Sequence, residues 1–186
     1  MPSYAKAIYD FDYNNAVMHE EGNLTVLDPC AGWGDRFLAS LVSRNVVKYI
    51  GFDPNYLLRR GYIDIAMSCG VEVKEICDEY ILFENDSIIY TKPFEIGSKE
   101  IKNESVDFVF TSPPFFDYEI YSETNPKYKN WFEEFYIPFF VESVRICKRE
   151  KYLAIYLDDT SSGRITSWIR QNIETICPVT INKQIG

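Results

Sequence analysis

Short apolar runs that end in an acid or a proline alternate along this chain with longer stretches of helical spacing. Leu24–Asp28 reads as a strand, and Arg36–Val42 as a helix with Phe37, Leu38 and Leu41 inward. Val46–Asp53 is a second strand that again closes on an acid. Residues 56–67 then form a helix with Leu57, Leu58, Tyr62, Ile65 and Ala66 inward. Ser87–Thr91 is preferred over Val71–Ile76 as the third core strand, which leaves residues 69–85 as a helix extension or an insertion. Ser105–Thr111 is the fourth strand. Tyr152–Leu157 is the fifth, near-continuously apolar as a central parallel strand should be. Trp131–Cys147 has helical spacing, with Pro138 expected to kink or restart it. Ile165–Ile173 is a last helix and Val179–Ile181 a final short strand. At the front, residues 3–20 form a helix or loop, with Tyr4, Ile8 and Phe11 near helical spacing and Asn14-Asn15 opposing it.

Strands alternating with helices imply a mostly parallel α/β sheet with right-handed crossovers and helices on both faces. Ligands in such folds sit beyond the carboxyl ends of the strands. The expected organisation is a single domain over residues 1–186, with 1–22 as an N-terminal extension and 116–130 as an irregular substrate-side loop.

Composition narrows the classes. With 46% apolar and 16% aromatic residues the chain reads as globular, and no apolar run is long enough for a membrane span. Five scattered cysteines without a Cys-x-x-Cys, and the single His19, make a poor metal set, so no metal is expected and the thiols read as reduced ones of an intracellular protein. The net charge of −9 opposes strong autonomous binding to nucleic acid.

Candidate chemistry gathers at three strand ends. After the first strand, Asp28-Pro29-Cys30-Ala31-Gly32-Trp33-Gly34 lets backbone approach a ligand. Phe37 stands where a dinucleotide fingerprint needs a small residue, which disfavours NAD and suits a ligand with an amino-acid tail, whose ammonium Asp28 would help bind. Asp53 is placed to accept from both ribose hydroxyls of a nucleoside, and Phe94 either packs on an adenine or belongs to the core. Asp35-Arg36 reads as a local cap or ion pair. After the fourth strand, Pro113 and Pro114 cannot continue a ladder, so the chain leaves the sheet at Ser112 in a stiff turn that presents Phe115.

Asp28–Gly34, then Gly51-Phe52-Asp53, then Thr111-Ser112-Pro113-Pro114-Phe115 resemble the ordered motifs of class I S-adenosylmethionine-dependent methyltransferases. More narrowly, Ser112–Phe115 is similar to the Asp/Asn/Ser-Pro-Pro-aromatic motif of the amino-methyltransferases. The run from Thr111 onward looks like a phage or large-virus type of DNA methylase-like protein. The resemblance spans about residues 24–158 and implies a Rossmann-like fold with S-adenosylmethionine as cofactor. It implies methylation of adenine N6 or cytosine N4 in nucleic acid, DNA before RNA, with the serine leaning toward cytosine. It places Asp28, Pro29, Ala31, Gly32, Gly34, Asp53, Pro54, Phe94 and Thr111 on the cofactor side. Ser112, Pro113, Pro114 and Phe115 fall on the catalytic side, with Glu119 and Tyr121 as possible holders of substrate.

The chemistry fits that assignment. An exocyclic amine is a poor nucleophile, and acceptors such as the Ser112 hydroxyl and the Pro113 carbonyl draw its nitrogen toward tetrahedral geometry and stabilise the charge developing on it. Phe115 would stack on the base. No cysteine lies in the turn, which disfavours ring-carbon methylation. The chain departs from the family in three ways: residues 147–151 lack the usual glycines, the C-terminal hairpin has room for about one strand, and no target-recognition domain is evident. Two readings therefore compete with an autonomous nucleic-acid enzyme: a catalytically weak cofactor-binding subunit of a nucleic-acid-modifying complex, and a methyltransferase of small molecules or proteins.

Overall fold

The structure, a computed structural model, describes residues 2–14, 24–114, 129–159 and 164–181. Seven strands form one sheet: β1 Leu24–Asp28, β2 Val46–Phe52, β3 Val73–Ile76, β4 Tyr80–Phe83, β5 Ile88–Tyr90, β6 Val106–Thr111 and β7 Cys147–Ile155. Their order is β3-β4-β5-β2-β1-β6-β7. From β5 to β7 every pairing is parallel, and β3 and β4 add an antiparallel hairpin at the β5 edge.

Alternation along the central strands feeds two cores. Val26 and Phe108 face one side with Tyr49 and Ile89, under helices α1 Pro2–Asn14, α2 Asp35–Val42 and α3 Arg59–Ser68. Leu27, Phe52 and Val109 face the other, under the short α4 Phe94–Gly97, α5 Ile137–Ile146 and α6 Ile165–Ile176. Each fully buried large side chain contributes roughly 1.5–3 kcal/mol relative to exposure.

Several expectations are corrected. Residues 69–85 do not extend a helix: Ile81 and Phe83 alternate inward on β4, and the buried Arg59 of α3 donates to the carbonyls of Cys77, Asp78 and Tyr80 and to the Thr91 hydroxyl, which pins the hairpin. Val179–Ile181 is not a strand; the Val179 N–H bonds back to Cys177 O at 2.8 Å, and the Ile181 N–H to Glu174 of α6. Leu57 and Tyr4 point outward, because Tyr56–Leu58 is a 3-10 turn ahead of α3 and α1 buries Ala5 and Tyr9 instead. The strand expected over Tyr152–Leu157 is β7; it begins earlier, at Cys147, and lies at the edge of the sheet, not at its centre. Residues 148–151 bulge out opposite Asp107, with Glu150 at φ 58°, and Lys148 pairs with Asp107 at 2.7 Å. Before α5, Phe132–Tyr136 is a π-helical stretch that runs straight into α5, and Pro138, second residue of α5, falls at that change of helix type, where a restart was expected.

Candidate active site

Beyond the carboxyl ends of β1, β2 and β6 lies a cavity of about 270 Å³, where a parallel sheet of this kind places a ligand. The β1 loop forms one wall. Gly32 and Gly34 adopt φ of +56° and +87°, the left-handed region that side chains disfavour. Gly34 also lies so close to α3 that a Cβ would sit 2.7 Å from the Ile65 side chain. The loop is tied down on three sides. Ala31 N–H donates to Phe52 O at 2.8 Å, Gly32 N–H to Asp53 Oδ2 at 2.9 Å, and Tyr62 OH to Gly32 O at 2.5 Å.

Asp53 borders the cavity. Each of its oxygens accepts one backbone N–H, from Gly32 and from Asn55, and the Tyr62 hydroxyl interacts with it as well; with about four acceptor sites a carboxylate so placed keeps capacity for a ligand. Burial raises its pKa from 3.8 to about 6, against the lowering effect of those two N–H bonds. Pro54, Phe94 and Glu95 continue this wall. Phe94 serves as wall and core at once, edge-on to Phe52 and Phe139 at 5.2 and 6.0 Å between ring centres.

Asp28 behaves differently from the expectation that it takes a ligand's ammonium. It is fully buried and does not line the cavity. Oδ1 accepts from Thr111 OH at 2.7 Å and Cys30 N–H at 3.3 Å; Oδ2 accepts from Tyr49 OH at 2.6 Å and Arg36 Nε at 2.7 Å. Burial, then the Asp28 charge, pushes the Tyr49 hydroxyl well above its ordinary pKa, so it remains a donor. Thr111 also accepts from Cys30 N–H at 3.1 Å. It thereby couples the β1 loop to the last residue of β6 without reaching the cavity.

The turn after β6 supplies the third wall. Ser112 is half-buried and lines the cavity with Pro114; Pro113 is buried between them. Tyr136 OH donates to Pro114 O at 2.5 Å and holds the turn from behind. Phe115, Glu119, Tyr121 and His19 lie outside the described residues.

The structure thus brings Pro29, Ala31, Gly32, Asp53, Pro54, Phe94, Ser112 and Pro114 to one cavity, while Asp28, Gly34, Thr111 and Pro113 support it from behind. Sequence reasoning missed Trp33, which is 78% exposed at the cavity wall, and Trp131 and Phe135. Trp33 stood between the two glycines as a visible signal; Trp131 and Phe135 are far away in the chain and carried none. Cys30 also lines the cavity, but burial raises its thiol pKa well above the ordinary value, which keeps it from acting as a nucleophile.

No protein-family model matches the chain, and no curated protein does. Solved structures do match. A candidate sarcosine dimethylglycine methyltransferase from Galdieria sulphuraria aligns over 94% of this chain and 53% of its own, with TM-score 0.54 and 13% identity. A candidate RNA methyltransferase from Pyrococcus horikoshii aligns over 93% and 65%, with TM-score 0.52 and 16% identity. A candidate transferase from the same organism aligns over 92% and 50%, with TM-score 0.51 and 12% identity. This chain therefore spans between 50% and 65% of the length of these three structures. At such identities the likeness concerns the fold, which is the Rossmann-like fold of class I methyltransferases. Among the described residues, no helix is long and apolar enough to cross a membrane.

Proposed function

We propose that this protein transfers a methyl group from S-adenosylmethionine to an exocyclic amine of a nucleic-acid base, adenine N6 or cytosine N4, with DNA the preferred substrate. One observation carries the reading. Ser112 and Pro114 of the stiff strand-end turn share a cavity with Asp53 and the glycine loop, so an acceptor and a nucleoside-type cofactor would meet there.

The residues present suit that cofactor. The glycine wall admits a ligand close to backbone, and the Asp53 carboxylate keeps acceptor capacity toward the cavity for ribose hydroxyls. Phe94 offers an apolar wall for adenine. When bound, S-adenosylmethionine supplies an electrophilic methyl on a sulfonium sulfur.

The chain's own part is alignment and charge stabilisation. The Ser112 hydroxyl, on the cavity wall, accepts one hydrogen of the amine, and the carbonyl of Pro113, which lies behind that wall, is assigned the other on the resemblance of the turn; together they free the lone pair along the line of attack. As the new N–C bond forms and the methyl–sulfur bond breaks, its electron pair remaining on sulfur as a neutral thioether, these acceptors stabilise the positive charge on nitrogen, and the surplus proton leaves to solvent. Tyr136, bonded to Pro114 O, keeps the turn from yielding. Phe115, next in the chain, is assigned to stack on the base. A duplex base must flip out to reach this depth. With a net charge of −9 the chain draws little polyanion by itself, which favours a basic partner chain as the carrier of the nucleic acid.

The test is transfer of labelled methyl to DNA and RNA, followed by digestion to nucleosides. The expected product is N6-methyladenine or N4-methylcytosine, with Ser112→Ala slower by roughly a hundredfold. Label found only in protein or small molecules, or a Ser112→Ala rate equal to wild type, overturns the assignment.

A further inference from the structure

We propose that Arg36, and not the strand-end acid Asp28, binds the amino-acid tail of the cofactor, by taking its carboxylate. This rests on the cofactor reading above and deepens it.

The argument starts from lone pairs. A carboxylate offers about four acceptor sites, and four donors fill those of Asp28: the Thr111 and Tyr49 hydroxyls, the Cys30 N–H and Arg36 Nε. The group is fully buried and absent from the cavity wall, so an incoming ammonium would have to break a satisfied network to reach it. Arg36 is placed the other way round. Its Nε and Nη2 face inward, to Asp28 and to the carbonyl of Cys30. Its Nη1 makes no hydrogen bond to a described residue, its side chain keeps 16% exposure, and the residue lines the cavity beside Gly32. Asp28 therefore fixes the guanidinium in place and leaves one edge of it for a ligand.

Charge selects which end of the tail goes there. Among the described residues lining the cavity, Asp35, Asp53 and Glu95 are acids and Arg36 is the only cation. A zwitterionic tail thus finds one cationic side chain there for its carboxylate. Arg36 also sits in the first turn of α2, where the helix dipole favours an anion.

Calorimetric titration separates the readings, with S-adenosylhomocysteine, its decarboxylated counterpart and 5′-methylthioadenosine as probes against wild type, Arg36→Lys and Arg36→Gln. Wild type is expected to bind S-adenosylhomocysteine about tenfold or more tightly than the decarboxylated compound, the strength of a charge-assisted bond. Arg36→Gln should abolish that preference, Arg36→Lys should keep part of it, and 5′-methylthioadenosine should bind all three proteins within about twofold of one another. If Arg36→Gln does not fold, Arg36→Lys decides: a preference unchanged from wild type in that variant overturns the assignment. Equal affinity of wild type for the first two compounds, or an equal loss for all three ligands in Arg36→Gln, overturns the Arg36 assignment and leaves the cofactor reading standing. Failure of wild type to bind any of the three overturns both.

Discussion

Asp28 closes β1 and Asp53 follows β2, so both carboxylates stand at the carboxyl edge of neighbouring strands, yet their surroundings make them different chemical objects. Asp28 has a guanidinium, two hydroxyls and an N–H around it and is closed off from the cavity. Asp53 has two backbone N–H groups and the neighbouring Tyr62 hydroxyl, pairs with no cation among the described residues, and borders the cavity. A strand-end acid becomes a structural hub when a cation and hydroxyls saturate it, and remains a ligand group when no cation pairs with it and it faces the cavity. The difference lies in Arg36, Tyr49 and Thr111, each of which turns toward Asp28 and away from Asp53.

The largest expected effect follows from removing the hub. Asp28→Ala leaves Arg36 with an uncompensated buried charge and strands the Tyr49 and Thr111 hydroxyls, at a cost of about 3–5 kcal/mol. In a chain of this size that lowers Tm by roughly 10 °C, readable by thermal or urea unfolding. A loss below about 1 kcal/mol would make Asp28 a peripheral acid and dissolve the contrast. Next comes Tyr49→Phe, which deletes the 2.6 Å donor to Asp28 and should cost about 1.5–3 kcal/mol in the same unfolding experiment.

The acidity of Asp53 gives a smaller, reversible effect. Burial raises its pKa to about 6 from 3.8, so ionisation opposes folding, and its contribution to stability declines as pH rises from about 4 to 6. Binding has the opposite sign, since ribose hydroxyls need the ionised carboxylate. Affinity for S-adenosylhomocysteine should be flat above pH 7 and fall by up to about tenfold per unit below 6. Asp53→Asn should flatten that profile; a wild-type affinity independent of pH between 5 and 7 would remove Asp53 from the ligand site.

The sequence carried the sheet well where strands are buried on both faces. The runs ending at Asp28, Phe52 and Thr111 are apolar enough to announce themselves, and their order with the glycine loop and Ser112-Pro113-Pro114 marked the cavity. It carried less at the edge. In β3 only Val73 and Ile76 are apolar and the strand is largely exposed, so its period is faint, and what fixes the hairpin is Arg59, whose partners lie 18 to 32 residues ahead. The site's chemistry was half legible for the same reason. Glycines and prolines declare their backbone needs locally, but the partners of a carboxylate are decided by folding. Nothing at position 28 tells that Tyr49 from β2 and Thr111 from β6 will close over it. Nor does it tell that Arg36 will reach back across the loop.

The contrast between the two acids is tested most directly by titrating S-adenosylhomocysteine into wild type and Asp53→Asn while following the unfolding of both alongside Asp28→Asn. Asp53→Asn should bind about tenfold or more weakly, with an unfolding midpoint much nearer wild type than that of Asp28→Asn. Equal affinity in wild type and Asp53→Asn, or no binding by wild type, would contradict the assignment of Asp53 to the ligand and Asp28 to the frame.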